Sequence, residues 1–350
     1  MDNLSVFFLA EGEQSGDEVM GRLTTFIRAA KRTLDFAIYD MRFSEALHSQ
    51  LSAALREQAA AGVEIRFCYD ADKPSPPNVA AGQDPAPGGT GVFVQSLGYP
   101  WRRIGGMKLM HSKFVVRDGE NVWTGSTNMT DDGFTLMENN IVEFASESLA
   151  AYYAENFEDL WEKENFEHTG DIHTEPVPLT FSNEPATARV MFSPGCGLEI
   201  DSEIAKRVRA AQRRVRICSL LMNSGTLIGE LGNLLRRSRV AVDGIYDATQ
   251  MEQVYLQWQE VPQNRWKIAA LKEIIWRARL IGKNSAPYST AGHHNYMHNK
   301  VLVIDDTVIT GSFNFSRSAQ FNSENILFIE SAPLAEAYSA YIDHLLEKYR

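Results

Sequence analysis

One pattern occurs twice in this chain of 350 residues. His111-Ser-Lys113, Asp118, Gly125-Ser126-Thr-Asn128 and Glu138-Asn139 recur as His298-Asn-Lys300, Asp305, Gly311-Ser312-Phe-Asn314 and Glu324-Asn325. The His, Lys and Asp repeat at an offset of 187, the Gly, Ser, Asn and Glu-Asn at 186, so the one-residue difference falls in the turn after the Asp. A duplication on this scale predicts two copies of one supersecondary unit, with a shared site between them.

The flanks repeat as well. A helix-like Phe26-Ile-Arg-Ala-Ala-Lys-Arg precedes the apolar run 34–39, and Val208-Arg-Ala-Ala-Gln-Arg-Arg precedes 215–221. A second helix over about 44–61 leads to the strand 63–69 and Asp70; its counterpart over about 225–238 leads to 240–246 and Asp247. Each half closes on an amphipathic helix, 149–163 and 334–348, with apolar residues at helical spacing. Alternating strands and helices predict an α/β fold of two similar lobes, each a mixed sheet flanked by helices. The lobes run over 1–166 and 189–350. Residues 167–188, polar, Pro-containing and aperiodic, form the expected linker. The halves differ most just before each motif: 72–106 is a long Pro/Gly-rich segment, whereas a helix over about 264–278 and a loop, 283–297, precede the second.

Hydrophobic content of 44% and charged content of 23% are those of a globular protein. The N-terminus has no basic start and too short an apolar run for a signal peptide. No run approaches the length of a transmembrane helix. A soluble, cytoplasmic protein is expected. Cys68, Cys196 and Cys218 lack CxxC spacing, and buried free thiols fit a reducing compartment. The net charge of −11 does not announce a nucleic-acid binder. Residues 1–175 carry 14 Lys+Arg against 28 Asp+Glu, and residues 176–350 carry 20 against 17. The basic clusters at 206–209, 213–216 and 236–239 read as solvated helix faces or as a wall for a polyanion.

On a strand, residues i and i+2 share a face, so His111 points with Lys113 and His298 with Lys300. Asp118 and Asp305 are turn residues, and a tight hairpin is expected to bring Ser126 opposite His111 and Ser312 opposite His298. The glycine before each Ser would let backbone approach a ligand closely. Phosphodiester cleavage needs neutralised non-bridging oxygens, a nucleophile and a proton for the leaving oxygen. Lys113, Lys300, Asn128, Asn314, Ser126 and Ser312 can hold the oxygens. One imidazole can attack phosphorus and carry a covalent intermediate, and the other can move the protons. A carboxylate beside each imidazole would fix its tautomer, and Glu138 and Glu324 are the candidates.

Both motifs resemble the HKD signature of the phospholipase D superfamily, and the resemblance covers nearly the whole chain. It implies two lobes related by a pseudo-twofold axis, one active site at their interface, and no metal or other cofactor. It further implies His111 as nucleophile and His298 as general acid/base, with Asp118 and Asp305 structural. The second motif is similar to the nuclease-like branch, so single-stranded nucleic acid is the leading expected substrate and phospholipid the alternative. A phosphate-binding scaffold without turnover would not need two histidines. Trp101 is expected to stack on bases and Arg102 to line the substrate path. His294 and Tyr296 are expected at the mouth of the site. His293, His294 and His298 suggest a zinc set, but Gly292 and Asn295 break the helix that the i,i+4 spacing would need. With both motifs in one chain, dimerisation is not required to complete the site.

Overall fold

The computed structural model describes residues 2–70, 89–287 and 292–350. Two mixed sheets carry the two halves. The N-terminal sheet runs, edge to edge, Leu4–Leu9, Asn139–Ala145, Asn121–Gly125, Lys113–Arg117, Thr33–Ile38, Glu64–Asp70 and Trp101–Ile104. The C-terminal sheet runs Val177–Phe181, Glu184–Ser193, Glu324–Glu330, Thr307–Gly311, Lys300–Ile304, Arg214–Ser219, Ala241–Asp247 and Ile281–Lys283. Removing Val177–Phe181 leaves the same order of seven strands in each, as the repeat requires. The strands Thr33–Ile38 and Glu64–Asp70 are parallel, joined by the right-length helical crossover Glu45–Ala60; Arg214–Ser219 and Ala241–Asp247 are joined likewise by Gly225–Arg237.

The apolar periodicity is resolved into three cores. Helices Gly16–Arg28 and Glu45–Ala60 pack on the outer face of the first sheet through Leu23, Ile27, Leu51 and Leu55. Helices Gly197–Ala210, Gly225–Arg237 and Arg265–Ala278 do the same for the second through Ile204, Leu231 and Leu271. The central core joins both sheets and both closing helices, Glu147–Lys163 and Ala332–Tyr349, through Tyr153, Phe157, Tyr338 and Leu345. The lobes therefore share a core and do not merely abut. Serine starts these helices in both halves: the hydroxyls of Ser146 and Ser331 accept from the N–H of Leu149 and Leu334.

Two expectations change. The linker is shorter than 167–188, because 177–193 is a strand hairpin whose Val177 and Leu179 are buried. Its aperiodic appearance comes from Pro176, Pro178 and Pro185 on an edge hairpin, where a missing N–H is tolerated. Of the segment 72–106, residues 71–88 lie outside the described residues; the remainder forms the helix Thr90–Ser96 and the edge strand Trp101–Ile104. The corresponding span of the second half contains an unanticipated helix, Ala248–Glu260, ahead of Arg265–Ala278.

The repeated Asp is a backbone clamp. Asp305, at φ 52°, accepts from the N–H groups of Gln212, Arg213 and Arg214, and Asp118, at φ 59°, from those of Lys31, Arg32 and Thr33. Each ties the hairpin turn to the end of the preceding helix, far from the His end of the strand. Asp305→Ala is expected to lower stability by about 1–3 kcal/mol, the cost of stranding several donors. Thermal unfolding checks this, and turnover measured well below the transition should be retained.

Candidate active site

The two strands that begin at Lys113 and Lys300 start where the sheets meet. Each histidine lies just before its strand and is fixed by its own lobe from behind. The Asp70 carboxylate accepts from Met110 N–H at 2.8 Å, and that of Asp247 from Met297 N–H at 3.0 Å. Both aspartates end the second parallel strand of their lobe. The backbone then crosses the seam: His111 N–H donates to Ser323 O at 2.8 Å, Ser323 N–H to Leu109 O at 2.8 Å, and Glu138 N–H to Tyr296 O at 3.2 Å. Each histidine-bearing segment is thus paired with the opposite lobe.

The side chains cross as well. His111 Nδ1 lies 2.7 Å from Glu324 Oε2, and His298 Nδ1 lies 2.9 Å from Asn139 Oδ1. The backbone of Ser312 bonds the His111 ring and that of Ser126 the His298 ring. The hairpin geometry differs from expectation: Ser126 stands with His298 and Ser312 with His111, across the seam between the lobes. The Ser hydroxyls are structural. That of Ser126 accepts from Asn140 N–H and that of Ser312 from Asn325 N–H, each at 3.0 Å.

Glu138 is not a partner of either histidine. It is buried against Lys283 at 2.6 Å and bonded by Tyr349. The equivalences explain why. Ser126 N–H bonds Asn140 O and Ser312 N–H bonds Asn325 O, so Asn139-Asn140 matches Glu324-Asn325 at an offset of 185. The N-terminal lobe has one extra residue before its final strand, and the identical letters Glu-Asn are out of register. Asn140 and Asn325 play one role: Asn140 meets Thr310 and Tyr338, while Asn325 meets Thr124 and Tyr153. The doublet Asn139-Asn140 was the available signal for this slip.

Both catalytic candidates of each motif are nearly enclosed, with His111 6% exposed, His298 5%, Lys113 2% and Lys300 0%. Lys113 Nζ donates to His111 O at 2.8 Å and Lys300 Nζ to His298 O at 2.6 Å, which aims each ammonium back at its own histidine. The Tyr39 ring packs edge-on to the His111 ring and faces Lys113 Nζ at 4.8 Å. Burial brings Lys113 down to about 7 against the pull of Glu324, Asp40 and Asp70. Burial and the neighbouring Lys113 push Lys300 well below its usual value. Both imidazoles are also depressed, first by burial and then by the two lysines. Burial raises Glu324 to about 8 despite Lys113 and Lys300. Burial is the largest cause of every one of these shifts, so the centre holds ionisable groups that an enclosed site pushes toward their neutral forms. Oδ1 of Asn128 and of Asn314 are buried without a hydrogen-bond partner, two acceptors open to a donor.

Other expected residues lie elsewhere or at the rim. Arg102 is held by Glu164 at 3.0 Å and by the Trp161 ring, and Trp101 leans on Tyr69 at the start of the edge strand. Neither is brought to the histidines. His294 stacks on Tyr296 with centroids 5.0 Å apart, and its N–H donates to Asp132 across the seam. The glycines serve strand packing, not ligand approach: at φ 134° and 149°, a Cβ on Gly125 or Gly311 would sit 2.2 or 2.3 Å from a carbonyl oxygen of the adjacent strand. Among the described residues no cluster of three His, Cys, Asp or Glu side chains could hold a metal ion. Among the same residues no helix is long and apolar enough to cross a membrane.

The family model described as "Cardiolipin synthase, PLD-like domain" matches residues 23–161 and again 204–346. The chain belongs to the phospholipase D superfamily. Both lobes are therefore phospholipase D-like units, and the superfamily is one of phosphodiesterases. The mitochondrial cardiolipin hydrolase of Xenopus laevis is 30% identical over 147 residues, 42% of this chain and 63% of that protein. A phospholipase D of Rickettsia prowazekii is 58% identical over 43 residues, 12% of this chain and 21% of that protein. The chain thus spans less than two thirds of the length of these curated relatives. Phosphatidylserine synthase of Haemophilus influenzae has the same fold, with a TM-score of 0.65 at 14% identity over 99% of this chain and 88% of that one.

Proposed function

We propose that this phospholipase D superfamily chain hydrolyses phosphodiesters without a metal, by double displacement through a phosphohistidine, and that its substrate is a phospholipid. The observation that carries the reaction is the crossed pair: two imidazoles, each held at Nδ1 by the opposite lobe, above two buried lysines. Such holding at Nδ1 orients each ring, and Nε2 is the nitrogen proposed for the chemistry. The lysines and the amides of Asn128 and Asn314 supply what a developing pentavalent phosphorus requires.

For the substrate, the preference for nucleic acid weakens on one observation. Two of the three C-terminal basic clusters are committed to carboxylates: Arg207 to Glu203 and Glu330, Arg209 to Glu230, Arg213 to Asp306, Arg214 to Glu336 and Arg216 to Asp243 and Asp343. A wall so neutralised has little charge left for successive phosphates. Phospholipid gains from the relatives named for cardiolipin and phospholipase D, and from the rim itself. Met107 and Phe321, 67% and 45% exposed, each stand two residues from the Leu109–Ser323 backbone pairing beside His111. An apolar rim over a buried, phosphate-seeking centre suits a headgroup lifted from a lipid surface.

In EDTA, the purified protein is expected to release headgroup from phosphatidylcholine or cardiolipin vesicles and to leave end-labelled single-stranded DNA and RNA intact. Cleavage of the nucleic acids with untouched vesicles would return the nuclease reading. Activity abolished by EDTA and restored by zinc would end the metal-independent one.

A further inference from the structure

The two lobes treat one helix end in opposite ways. In the N-terminal lobe the helix Glu45–Ala60 begins at Ser44, and the protein's own carboxylates fill its N-terminus. Asp131 Oδ2 accepts from Ser44 N–H and Oδ1 from Ser44 Oγ, each at 2.7 Å, and Glu45 stands in the first turn. Asp131 lies three residues after Asn128. In the second copy of the pattern, the residue three after Asn314 is Arg317. The matching helix, Gly225–Arg237, begins at Ser224 with no acid in its first turn. Ser224 N–H is taken by Phe315 O at 2.8 Å, so the loop after Asn314 abuts this helix end. Where one lobe builds in a negative charge, the other has a cation.

A buried lysine stands at the same place. A Cβ on Gly225, the first helical residue, would sit 3.6 Å from Lys267 Nζ. Lys267 is only 9% exposed, faces the Trp258 ring at 5.4 Å, and has no hydrogen bond or ion pair among the described residues. Burial and then Arg317 push its pKa down, against the pull of Asp201. Arg317 is exposed and likewise has no ion pair among the described residues. The Asp201 carboxylate is itself engaged, accepting from Ser224 Oγ at 2.6 Å. Enclosing an ammonium without an acceptor costs free energy that a bound anion recovers. The helix adds its dipole and its donors: Ser224 Oγ caps Leu227 N–H at 3.2 Å, which leaves the N–H groups of Gly225 and Thr226 without an acceptor among the described residues.

We propose that Lys267, Arg317 and the N-terminus of Gly225–Arg237 form a second phosphate-binding site, separate from the histidine–lysine centre. Its ligand is a phosphate group, either free phosphate or the second phosphate of a lipid that carries two; the lipid source rests on the phospholipid reading above. Two cations and a helix end outweigh the single charge of Asp201, and both kinds of donor suit phosphate oxygens. The site belongs to the C-terminal lobe alone, because Asp131 fills the matching place in the other.

The test titrates the full chain with inorganic phosphate and counts bound anion by equilibrium dialysis. Wild type should bind two equivalents. Lys267→Met should keep the one at the catalytic centre, Lys300→Met the one at the helix end, and the double variant neither. Arg317→Asp gives this helix end the carboxylate of the other lobe. It should raise the Kd of the second site at least about tenfold, the weight of a charge-assisted hydrogen bond. Arg317 is a surface residue, so this variant decides alone should Lys267→Met fail to fold. Vesicles then identify the source. If Lys267→Met raises KM at least about tenfold for cardiolipin, which has two phosphates, and not for phosphatidylcholine, which has one, the occupant is the second phosphate of the lipid. If neither KM moves while one equivalent of phosphate is lost, the occupant is free phosphate. Two equivalents bound by Lys267→Met, or an unchanged Kd in Arg317→Asp, would overturn the site. Untouched vesicles with two equivalents still bound by wild type would end the phospholipid reading and leave the site standing.

Discussion

Alanine at position 111 is expected to remove turnover on every substrate, while alanine at position 298 removes it only where a proton is needed. On the proposed phosphohistidine route, the difference follows from which bond each imidazole makes. Without His111 no P–N bond can form, so an activated leaving group brings no relief. Without His298 a p-nitrophenolate can still depart unprotonated, and one equivalent should appear in a burst. The phosphoenzyme should then persist, because no base draws the proton from the attacking water; steady-state turnover should fall by about 10²–10⁴-fold. Stopped-flow release of p-nitrophenol, with acid-quenched and base-quenched protein compared for bound phosphate, reads both steps. A burst from His111→Ala and none from His298→Ala would exchange the roles. Near-normal turnover by either variant would remove the pair from the chemistry. Both histidines are buried, so each variant should be shown folded by its thermal transition first.

The fold was legible because periodicity and repetition are local properties. The runs that predicted the central strands fall on Thr33–Ile38, Glu64–Asp70, Lys113–Arg117 and their second-half counterparts, since apolar side chains at those spacings have one way to be buried. The candidate residues were legible for a related reason: few arrangements other than a phosphodiesterase need His and Lys on one strand face, twice. Partnership was not legible. Ser126 and Ser312 were expected with the histidines of their own lobes, and Glu138 with an imidazole, because sequence order favours near neighbours. The contacts that matter join residues far apart in the chain, His111 with Glu324 and His298 with Asn139. The register slip that separates Glu138 from Glu324 comes from one extra residue between Ser126 and Asn140, a stretch that holds the short helix Asp131–Thr135 where the second lobe has the 3-10 turn Ser318–Phe321. Trp101 and Arg102 attracted notice as an aromatic and a cation near the motif, yet an edge strand uses both for packing and an ion pair.

The same burial that readies the centre for phosphate makes it costly to fold, and Lys300→Met should expose that cost. An unfolded lysine titrates near 10.4. In the folded protein burial and Lys113 hold Lys300 well below that, and Lys113 itself is down to about 7. Between the folded and unfolded values the unfolded chain binds more protons, so stability rises with pH across that window. Below it the penalty is present in full. Methionine fills the same space without a charge to desolvate. Lys300→Met is therefore expected to raise the melting temperature by a few degrees at pH 7, with the gain shrinking as pH rises toward the unfolded value near 10.4 and gone only above it, where the wild-type lysine is neutral in both states. Turnover should move the other way, by about 10²–10³-fold, the usual loss when one preorganised group is taken from a transition-state oxyanion. Inorganic phosphate should stabilise the wild-type protein against heat and the variant much less, since the anion returns a proton to the lysines as it binds. A variant that melts lower than wild type at pH 7 would mean that Lys300 is a net support of the seam through its bond to His298 O, and that the centre is not strained by its own charge. A higher melting temperature with lost turnover would place the strain in the side chains that do the chemistry, where preorganisation requires it.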